Sequence, residues 1–208
     1  MSVIPRPELV QGEDGLRRCG WSAGDDEYRR YHDDEWGRPQ HDPTRLFEKV
    51  CLEGFQAGLS WITILRRRPA FREVFHDFDA QQVAEMTEVD VERLLGDARI
   101  IRHRGKIEAT IQNARATLAL DQPLDELLWS FAPPPRDDSP TSFAEVPATT
   151  PESTAMSKQL RKLGFRFVGP TTMYALMQAA GMVDDHVAGC FRSNAARHVE
   201  EAAAAVRA

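Results

Sequence analysis

Apolar residues recur at the period of an α-helix along most of this chain, and the alternation typical of a half-buried strand is scarce. One stripe with spacing i, i+3, i+4 and i+7 consists of Phe71, Val74, Phe75 and Phe78. This spacing places side chains on a single helix face. Similar patterns predict helices around residues 91–95, 107–120 and 174–178. The sequence therefore predicts an all-α fold.

Length and composition indicate a single folded unit of ordinary globular character. The chain has 208 residues, of which 42% are hydrophobic and 28% charged, enough to bury a core without covalent staples. Mean hydropathy is −0.45, and no long uncharged apolar run is present, so we expect no membrane partner. The three cysteines and the polar N-terminus argue against a secreted disulfide framework. We expect a cytoplasmic monomer.

Two short basic runs stand out against a formal net charge of −6. They consist of Arg99, Arg102, Arg104 and Lys106, and of Lys158, Arg161, Lys162 and Arg166. Each run is either a solvated helix face or a local surface for nucleic acid, because local charge matters more for binding than net charge.

A glycine-bracketed segment, Gly164 to Gly169, separates two helical stretches. Glycines at both ends allow positive φ and close approach of backbone amides to another molecule. Such a turn either presents N–H groups to a DNA phosphate or is a plain tight connection.

Four residues have the chemistry of metal ligands. Cys19 precedes His32 by thirteen positions, and His186 precedes Cys190 by four, a spacing that would place the second pair on one helix face. Two thiolates and two imidazoles would make a tetrahedral zinc set. Spacing alone leaves open whether the two pairs meet. The alternative is that both cysteines are small buried hydrophobes and both histidines are solvated or hydrogen-bonded.

Glu53 lies on the edge of an apolar helix stripe and close to two glycines, Gly54 and Gly58. A buried carboxylate costs stability unless it is paired or has a function. Glu53 is therefore either part of a buried ion pair, bound at a helix end, or the wall of a pocket.

Aromatic residues cluster upstream of Glu53, in a segment that is also densely charged. They are Trp21, Tyr28, Tyr31 and Trp36, and Trp61 follows Glu53. Aromatic residues are usually part of a core. Flat rings combined with one acceptor carboxylate also suit a purine pocket, which needs stacking surfaces and a hydrogen-bonding edge.

Several long motifs together resemble the DNA-3-methyladenine glycosylase I family, a branch of the helix–hairpin–helix DNA glycosylase superfamily. The resemblance is carried by residues 19–21, 31–37, 51–62 (CLEGFQAGLSWI), 100–107, 164–169 and 185–187, together with Cys190. It covers residues 17–190 in order, and so nearly the whole chain.

The resemblance implies an all-α helix–hairpin–helix DNA glycosylase fold with a structural zinc site joining the N- and C-terminal segments. The implied Zn²⁺ ligands are Cys19, His32, His186 and Cys190. The glycosylase domain is expected at residues 17–192, after a flexible lead-in at 1–16 and before a C-terminal tail at 193–208.

The family's base pocket maps onto a catalytic Glu53 and four base-binding aromatics, Trp21, Tyr28, Tyr31 and Trp61. The implied DNA-binding residues are the wedge residues Gln56 and Leu59 and the turn glycines Gly164 and Gly169. The implied partners are double-stranded alkylated DNA and the 3-methyladenine base.

The implied activity is base-excision repair. Methylation at N3 makes adenine a cationic leaving group, which aromatic rings and a carboxylate would favour. We expect hydrolysis of the N-glycosidic bond, giving free base and an abasic site. No lysine is well placed for Schiff-base chemistry, so we expect no strand cleavage.

Asp184 falls where related glycosylases carry a catalytic aspartate. It would either stabilise charge in the transition state or cap a helix. Two other functions compete with excision. One is a zinc-clamped module that binds DNA or base without cutting. The other is a zinc hydrolase, which a full set of four protein ligands disfavours.

Overall fold

The computed structural model describes residues 7–193, and these are mostly helical. Ten α-helices follow in chain order: α1 Asp26–Asp34, α2 Pro43–Gln56, α3 Trp61–Leu65, α4 Arg68–Val74, α5 Ala80–Glu85, α6 Glu88–Gly96, α7 Arg104–Leu118, α8 Leu124–Trp129, α9 Pro151–Lys162 and α10 Pro170–Ala179. Of the helices described, none is both long and apolar enough to span a membrane.

A small antiparallel hairpin precedes the helices and corrects the all-α prediction. Strand β1, Leu9–Gln11, pairs with β2, Arg17–Cys19, in the register Leu9↔Cys19. The strands are too short for sequence alternation to reveal them. The backbone carbonyl of Arg17 also accepts a hydrogen bond from the N–H of Phe191 (2.9 Å). Part of the predicted flexible lead-in is thus strand β1, which pairs with β2, and β2 in turn contacts the C-terminal segment.

The remaining terminal predictions cannot be compared with the structure. Residues 1–6 of the predicted lead-in, and all but Ser193 of the predicted tail at 193–208, lie outside the described residues.

The predicted stripe of Phe71, Val74, Phe75 and Phe78 is buried, but one helix does not carry it. Helix α4 ends at Val74, and residues 76–78 form a 3₁₀ turn in which all three residues have positive φ. The phenylalanines reach the core through this reversal, because burial of their rings outweighs the local strain.

Helix α2 is the central element and packs against α7, α8 and α10. It begins at Asp42, whose side chain accepts a hydrogen bond from the N–H of Arg45 (3.0 Å), with Pro43 in the first turn. At the other end, the Lys106 ammonium donates to the carbonyls of Phe55 (2.9 Å) and Ala57 (2.6 Å). Lys106 therefore caps the C-terminus of α2, where orphan carbonyls attract a cation.

Helices α9 and α10 pack together and are joined by the turn at 163–169. Gly164 takes positive φ (+93°) as predicted, but Gly169 is extended (φ −64°), and Phe167 has φ +56° instead. The Asn113 side chain from α7 holds the turn, since it accepts from the N–H of Arg166 (2.7 Å) and donates to its carbonyl (3.1 Å).

Candidate functional site

A pocket of about 220 Å³ opens between α1, the end of α2, the start of α3 and α10. Its aromatic lining consists of Trp21, Tyr28, Tyr31, Trp36 and Trp61, and the rest of Glu53, Gln56, Ala175 and Gln178. Every predicted base-pocket residue lies here, together with Gln56, one of the two predicted wedge residues.

Helix α1 brings Tyr28 and Tyr31 to the pocket from one of its faces, as their i, i+3 spacing predicts. The ring of Tyr31 lies 5.6 Å from that of Trp61, tilted by 47°, and Trp21 meets Tyr28 edge-on at 5.6 Å. The Tyr28 hydroxyl accepts a hydrogen bond from the N–H of Ile62 (3.0 Å). Tyr28 thereby fixes the first turn of α3, which carries Trp61.

Glu53 lies in the last turn of α2 and is only 5% exposed. Among the described residues, its buried Oε2 has no hydrogen-bond partner. Burial raises the pKa of this carboxyl to about 8, and the nearby Lys49 ammonium opposes the rise. The alternatives of a buried ion pair and a helix-end hydrogen bond are therefore wrong for Glu53. Its carboxyl group is available to a ligand in the pocket.

Lys49, whose charge acts on Glu53, already forms an ion pair with another residue. Its ammonium donates to Glu35 (2.6 Å) and lies 5.8 Å from the centre of the Tyr31 ring. The second oxygen of Glu35 accepts from Arg68 (2.6 Å). The positive charge behind the pocket is thus shared within a partly buried network.

Three of the four predicted metal ligands meet behind the pocket. The ligand atoms of Cys19, His32 and Cys190 lie within 4.8 Å of one another, and all three residues are buried. Cys190 Sγ is 3.4 Å from His32 Nε2. Hydrogen bonds from Cys19 and His32 lower the pKa of the Cys190 thiol well below its usual range. This group could hold a metal ion.

His186 lies next to this group, although its ligand atom is outside the 4.8 Å set. Its ring centre is 5.1 Å from that of His32, and its Nε2 is buried without a partner among the described residues. The spacing of His186 and Cys190 would suit one helix face, but residues 183–193 form turns and irregular backbone. The turn, closed by a hydrogen bond from Cys190 N–H to the Val187 carbonyl (2.9 Å), brings Cys190 to the cluster instead.

Each histidine is oriented by an aspartate through Nδ1. Asp33 Oδ1 is 2.8 Å from His32 Nδ1, and Asp184 Oδ1 is 2.8 Å from His186 Nδ1. This arrangement directs both Nε2 atoms inward, as in carboxylate–histidine–metal sites. Asp184 also accepts from the N–H of His186 (3.0 Å). Asp184 does not cap a helix, because residues 183–193 are not helical.

The two basic runs differ in the structure. In the first, Arg99 pairs with Glu73 and Asp97, and Arg104 pairs with acidic residues of α6 and α7, so two of its four cations are neutralised. The second run is exposed, and among residues 7–193 it forms no ion pair; it consists of Lys158, Arg161, Lys162 and Arg166. Only this second run remains as a local positive surface.

The other predicted DNA-contacting residues are not part of the pocket lining and lie on a loop and in the 163–169 turn. Leu59 is 41% exposed on the loop between α2 and α3, next to Gly58 with positive φ (+83°). In the 163–169 turn, the backbone N–H groups of Phe167, Val168 and Gly169 donate to no other described residue. These amides face no internal acceptor, which suits an external anion.

Sequence reasoning did not assign Trp36, Ala175 or Gln178 to the site. Trp36 was noted only as part of the aromatic cluster; it meets Trp21 at 5.1 Å and His186 at 4.6 Å. Ala175 and Gln178 lie three positions apart on α10, a spacing that places them on one face of the helix.

Comparisons with known proteins identify relatives of this chain. Residues 21–193 match the model of the methyladenine glycosylase family. DNA-3-methyladenine glycosylase 1 of Escherichia coli is 53% identical over 179 residues, covering 84% of this chain and 96% of that protein.

Solved structures give the same result. A crystal structure of 3-methyladenine DNA glycosylase I superposes with a TM-score of 0.82 at 50% identity, covering 85% of this chain and 99% of the other. The Staphylococcus aureus enzyme, studied for recognition of 3-methyladenine, gives 0.79 at 36% identity and covers 83% of this chain and 94% of its own. The chain therefore belongs to the methyladenine glycosylase family.

Proposed function

We propose that this protein excises 3-methyladenine from alkylated double-stranded DNA by hydrolysing the N-glycosidic bond, which releases the free base and leaves an abasic site. The observation that carries the proposal is the buried Glu53 carboxyl without a partner in an aromatic pocket. A cationic purine would supply both the positive charge and the N–H donors that this carboxyl lacks.

The chemistry requires stabilisation of a departing base. In DNA, 3-methyladenine carries a positive charge, so its glycosidic bond is already weak. Tyr31 and Trp61 offer aromatic faces to the cation, an interaction worth about 0.5–2 kcal/mol. Glu53 accepts a hydrogen bond from the exocyclic amine and becomes ionised as the cation binds. It acts on the leaving group and is not a nucleophile.

Strand cleavage by a Schiff base needs a free amine near the pocket. Lys49 is bound to Glu35, and Lys106 is bound to two backbone carbonyls. Both amines are engaged in the structure, which supports a monofunctional glycosylase without lyase activity.

The flipped nucleotide would be held from two sides. The second basic run, which begins on α9, suits DNA phosphates. The backbone amides of residues 167–169, at the end of the segment from Gly164 to Gly169, suit them as well. Gln56, which lines the pocket, and the exposed Leu59 would fill the gap left in the base stack.

We propose that Cys19, His32, His186 and Cys190 hold a structural Zn²⁺. Two thiols and two imidazoles are the preferred zinc donors, and the unpartnered Nε2 of His186 is the atom that a metal would satisfy. Four protein ligands leave no position for water, so the ion would clamp the two ends of the domain rather than take part in hydrolysis.

The zinc proposal is tested by metal content and melting temperature. Cys190→Ala should lose bound zinc and melt at a clearly lower temperature. Cys51→Ala is the matched control, since Cys51 is buried outside the cluster, and it should retain the metal. Unchanged zinc content in Cys190→Ala would refute the clamp.

The domain boundaries at residues 17–192 remain a proposal. Strand β1, which pairs with β2, lies before the proposed start of the domain. Cytoplasmic location and a monomeric state also stay predictions.

The activity is tested by chromatographic measurement of bases released from methylated duplex DNA. The protein should release 3-methyladenine but not 7-methylguanine. Glu53→Gln should reduce the rate about 100-fold, the typical loss of one electrostatic group that stabilises the transition state. Glu48→Gln, a buried glutamate of the same helix that binds Arg45 and Arg72, should keep the rate.

Absence of base release from a folded, metal-loaded protein would favour the non-catalytic binding module. Loss of a hydrolytic activity on metal removal without loss of fold would favour the zinc hydrolase.

A further inference from the structure

Gln178 lines the pocket from α10, and Glu53 lines it from α2, which packs against α10. Its side-chain amide is anchored from behind, because Nε2 donates a hydrogen bond to Asp185 Oδ2 (2.8 Å). Asp185 is 2% exposed, and the same Oδ2 also accepts from the Tyr174 hydroxyl (2.7 Å). A carboxylate only accepts hydrogen bonds, so the NH₂ end of the amide has to face it.

This anchoring fixes which end of the amide remains for a ligand. Gln178 Oε1 has no hydrogen-bond partner among the described residues, whereas Nε2 is committed to Asp185. The backbone carbonyl of Gln178 also accepts from the N–H of Gly37 (3.2 Å), which holds the residue in place. The free end of the side chain is therefore an acceptor.

We propose that Gln178 is a specificity-determining residue, whose Oε1 accepts a hydrogen bond from the exocyclic amine of a 6-aminopurine and disfavours a 6-oxopurine. The inference rests on the proposed function and names the base class that the pocket takes. Glu53 and Gln178 then present acceptors from facing helices, and an amine has two N–H groups to satisfy them. A 6-oxo group offers a third acceptor, leaving all three unpaired.

The test compares the release of 3-methyladenine and 3-methylguanine from one sample of methylated duplex DNA. Gln178→Met removes the acceptor at similar volume. The ratio of kcat/KM for 3-methyladenine to that for 3-methylguanine should fall about tenfold, as expected for one hydrogen bond lost and one repulsion relieved.

Tyr174→Phe is the matched control. It removes a different donor from the same Asp185 oxygen but does not line the pocket. Its ratio should equal that of the unmodified protein. If Gln178→Met does not fold, Gln178→Ala makes the same comparison, since a water can bind Asp185 in the space created.

An unchanged ratio in a folded Gln178 variant, or an equal shift in Tyr174→Phe, would overturn the inference and leave Gln178 as a brace for Asp185. No release of either base by the unmodified protein would instead overturn the proposed function. The two failures are thus distinct.

Discussion

Helix α2 carries two buried glutamates, Glu48 in its middle and Glu53 in its last turn, and their surroundings are opposite. Glu48 is 2% exposed and accepts hydrogen bonds from Arg45 (2.7 Å) and Arg72 (2.9 Å). Glu53 is 5% exposed, and its buried oxygen has no partner among the described residues. Burial alone does not distinguish the two side chains; their partners do. A paired buried acid stabilises the fold, whereas an unpaired acid in a pocket wall is available to bind a ligand.

The contrast has an energetic meaning. Breaking a paired buried acid leaves charges uncompensated and costs stability. Neutralising an unpaired buried acid removes a desolvation cost that the fold already bears. The same substitution at the two positions should therefore act in opposite ways on stability and activity.

The largest expected effect is on stability. Glu48→Gln should lower the free energy of unfolding by about 2–3 kcal/mol, because two charge-assisted hydrogen bonds lose their anion. Glu53→Gln should not lower it at pH 8. Urea denaturation of both variants measures the difference. Equal losses would mean that Glu53 has a structural partner after all, and the contrast would disappear.

The next effect concerns the ring beside Glu53. Trp61→Ala should weaken binding of free 3-methyladenine by roughly 1–3 kcal/mol, if its ring stacks on the base. Isothermal titration calorimetry is the measurement. Trp129→Phe is the control, because the Trp129 indole lies outside this pocket and donates to the carbonyl of Gln40 (2.8 Å). Normal binding by Trp61→Ala would make Trp61 a core residue.

The third effect is a pH dependence, which is the smallest of the three within any one pH unit. The pKa of Glu53 is raised from 4.5 to about 8, so the folded state binds this proton more tightly than the unfolded state. Its contribution to stability is complete below about pH 4.5 and is lost as pH rises to about 8. The free energy of unfolding should fall by at most about 1.4 kcal/mol per pH unit, the value for release of one proton.

The check is to record unfolding curves of the unmodified protein and Glu53→Gln between pH 5 and pH 8. The stability of the unmodified protein should decrease relative to the variant as pH rises. Parallel pH profiles would show that Glu53 is already ionised in the folded state.

Local sequence patterns predicted which side chains share a face within a single helix. The spacing of Tyr28 and Tyr31 places both rings on one face of α1, and the apolar stripe of α2 predicts the burial of Glu53. The absence of a hydrogen-bond partner for Glu53 was not predictable from sequence, because it depends on which side chains other elements bring close to its carboxyl group. Gln178 was missed for the same reason: nothing in α10 indicates that this residue faces α2.

Long-range relations came from resemblance rather than spacing. No local pattern relates Cys19 to Cys190, and only the family motifs predicted that they meet. Residues 183–193 form no helix through His186 and Cys190, since i, i+4 spacing is necessary for a shared helix face but not sufficient. The hairpin of β1 and β2 was missed because three-residue strands show no alternation.

The contact between His32 and Cys190 joins residues 158 positions apart, which orders events during synthesis. At roughly 5–20 residues per second, about 8–30 s separate the emergence of these two side chains from a ribosome. Throughout that interval His32 and Cys19 lack the thiol that completes their cluster. Two rings that line the pocket contact the histidines of this region, since Trp21 packs against His32 and Trp36 against His186. The pocket should therefore be among the last parts of the nascent protein to form.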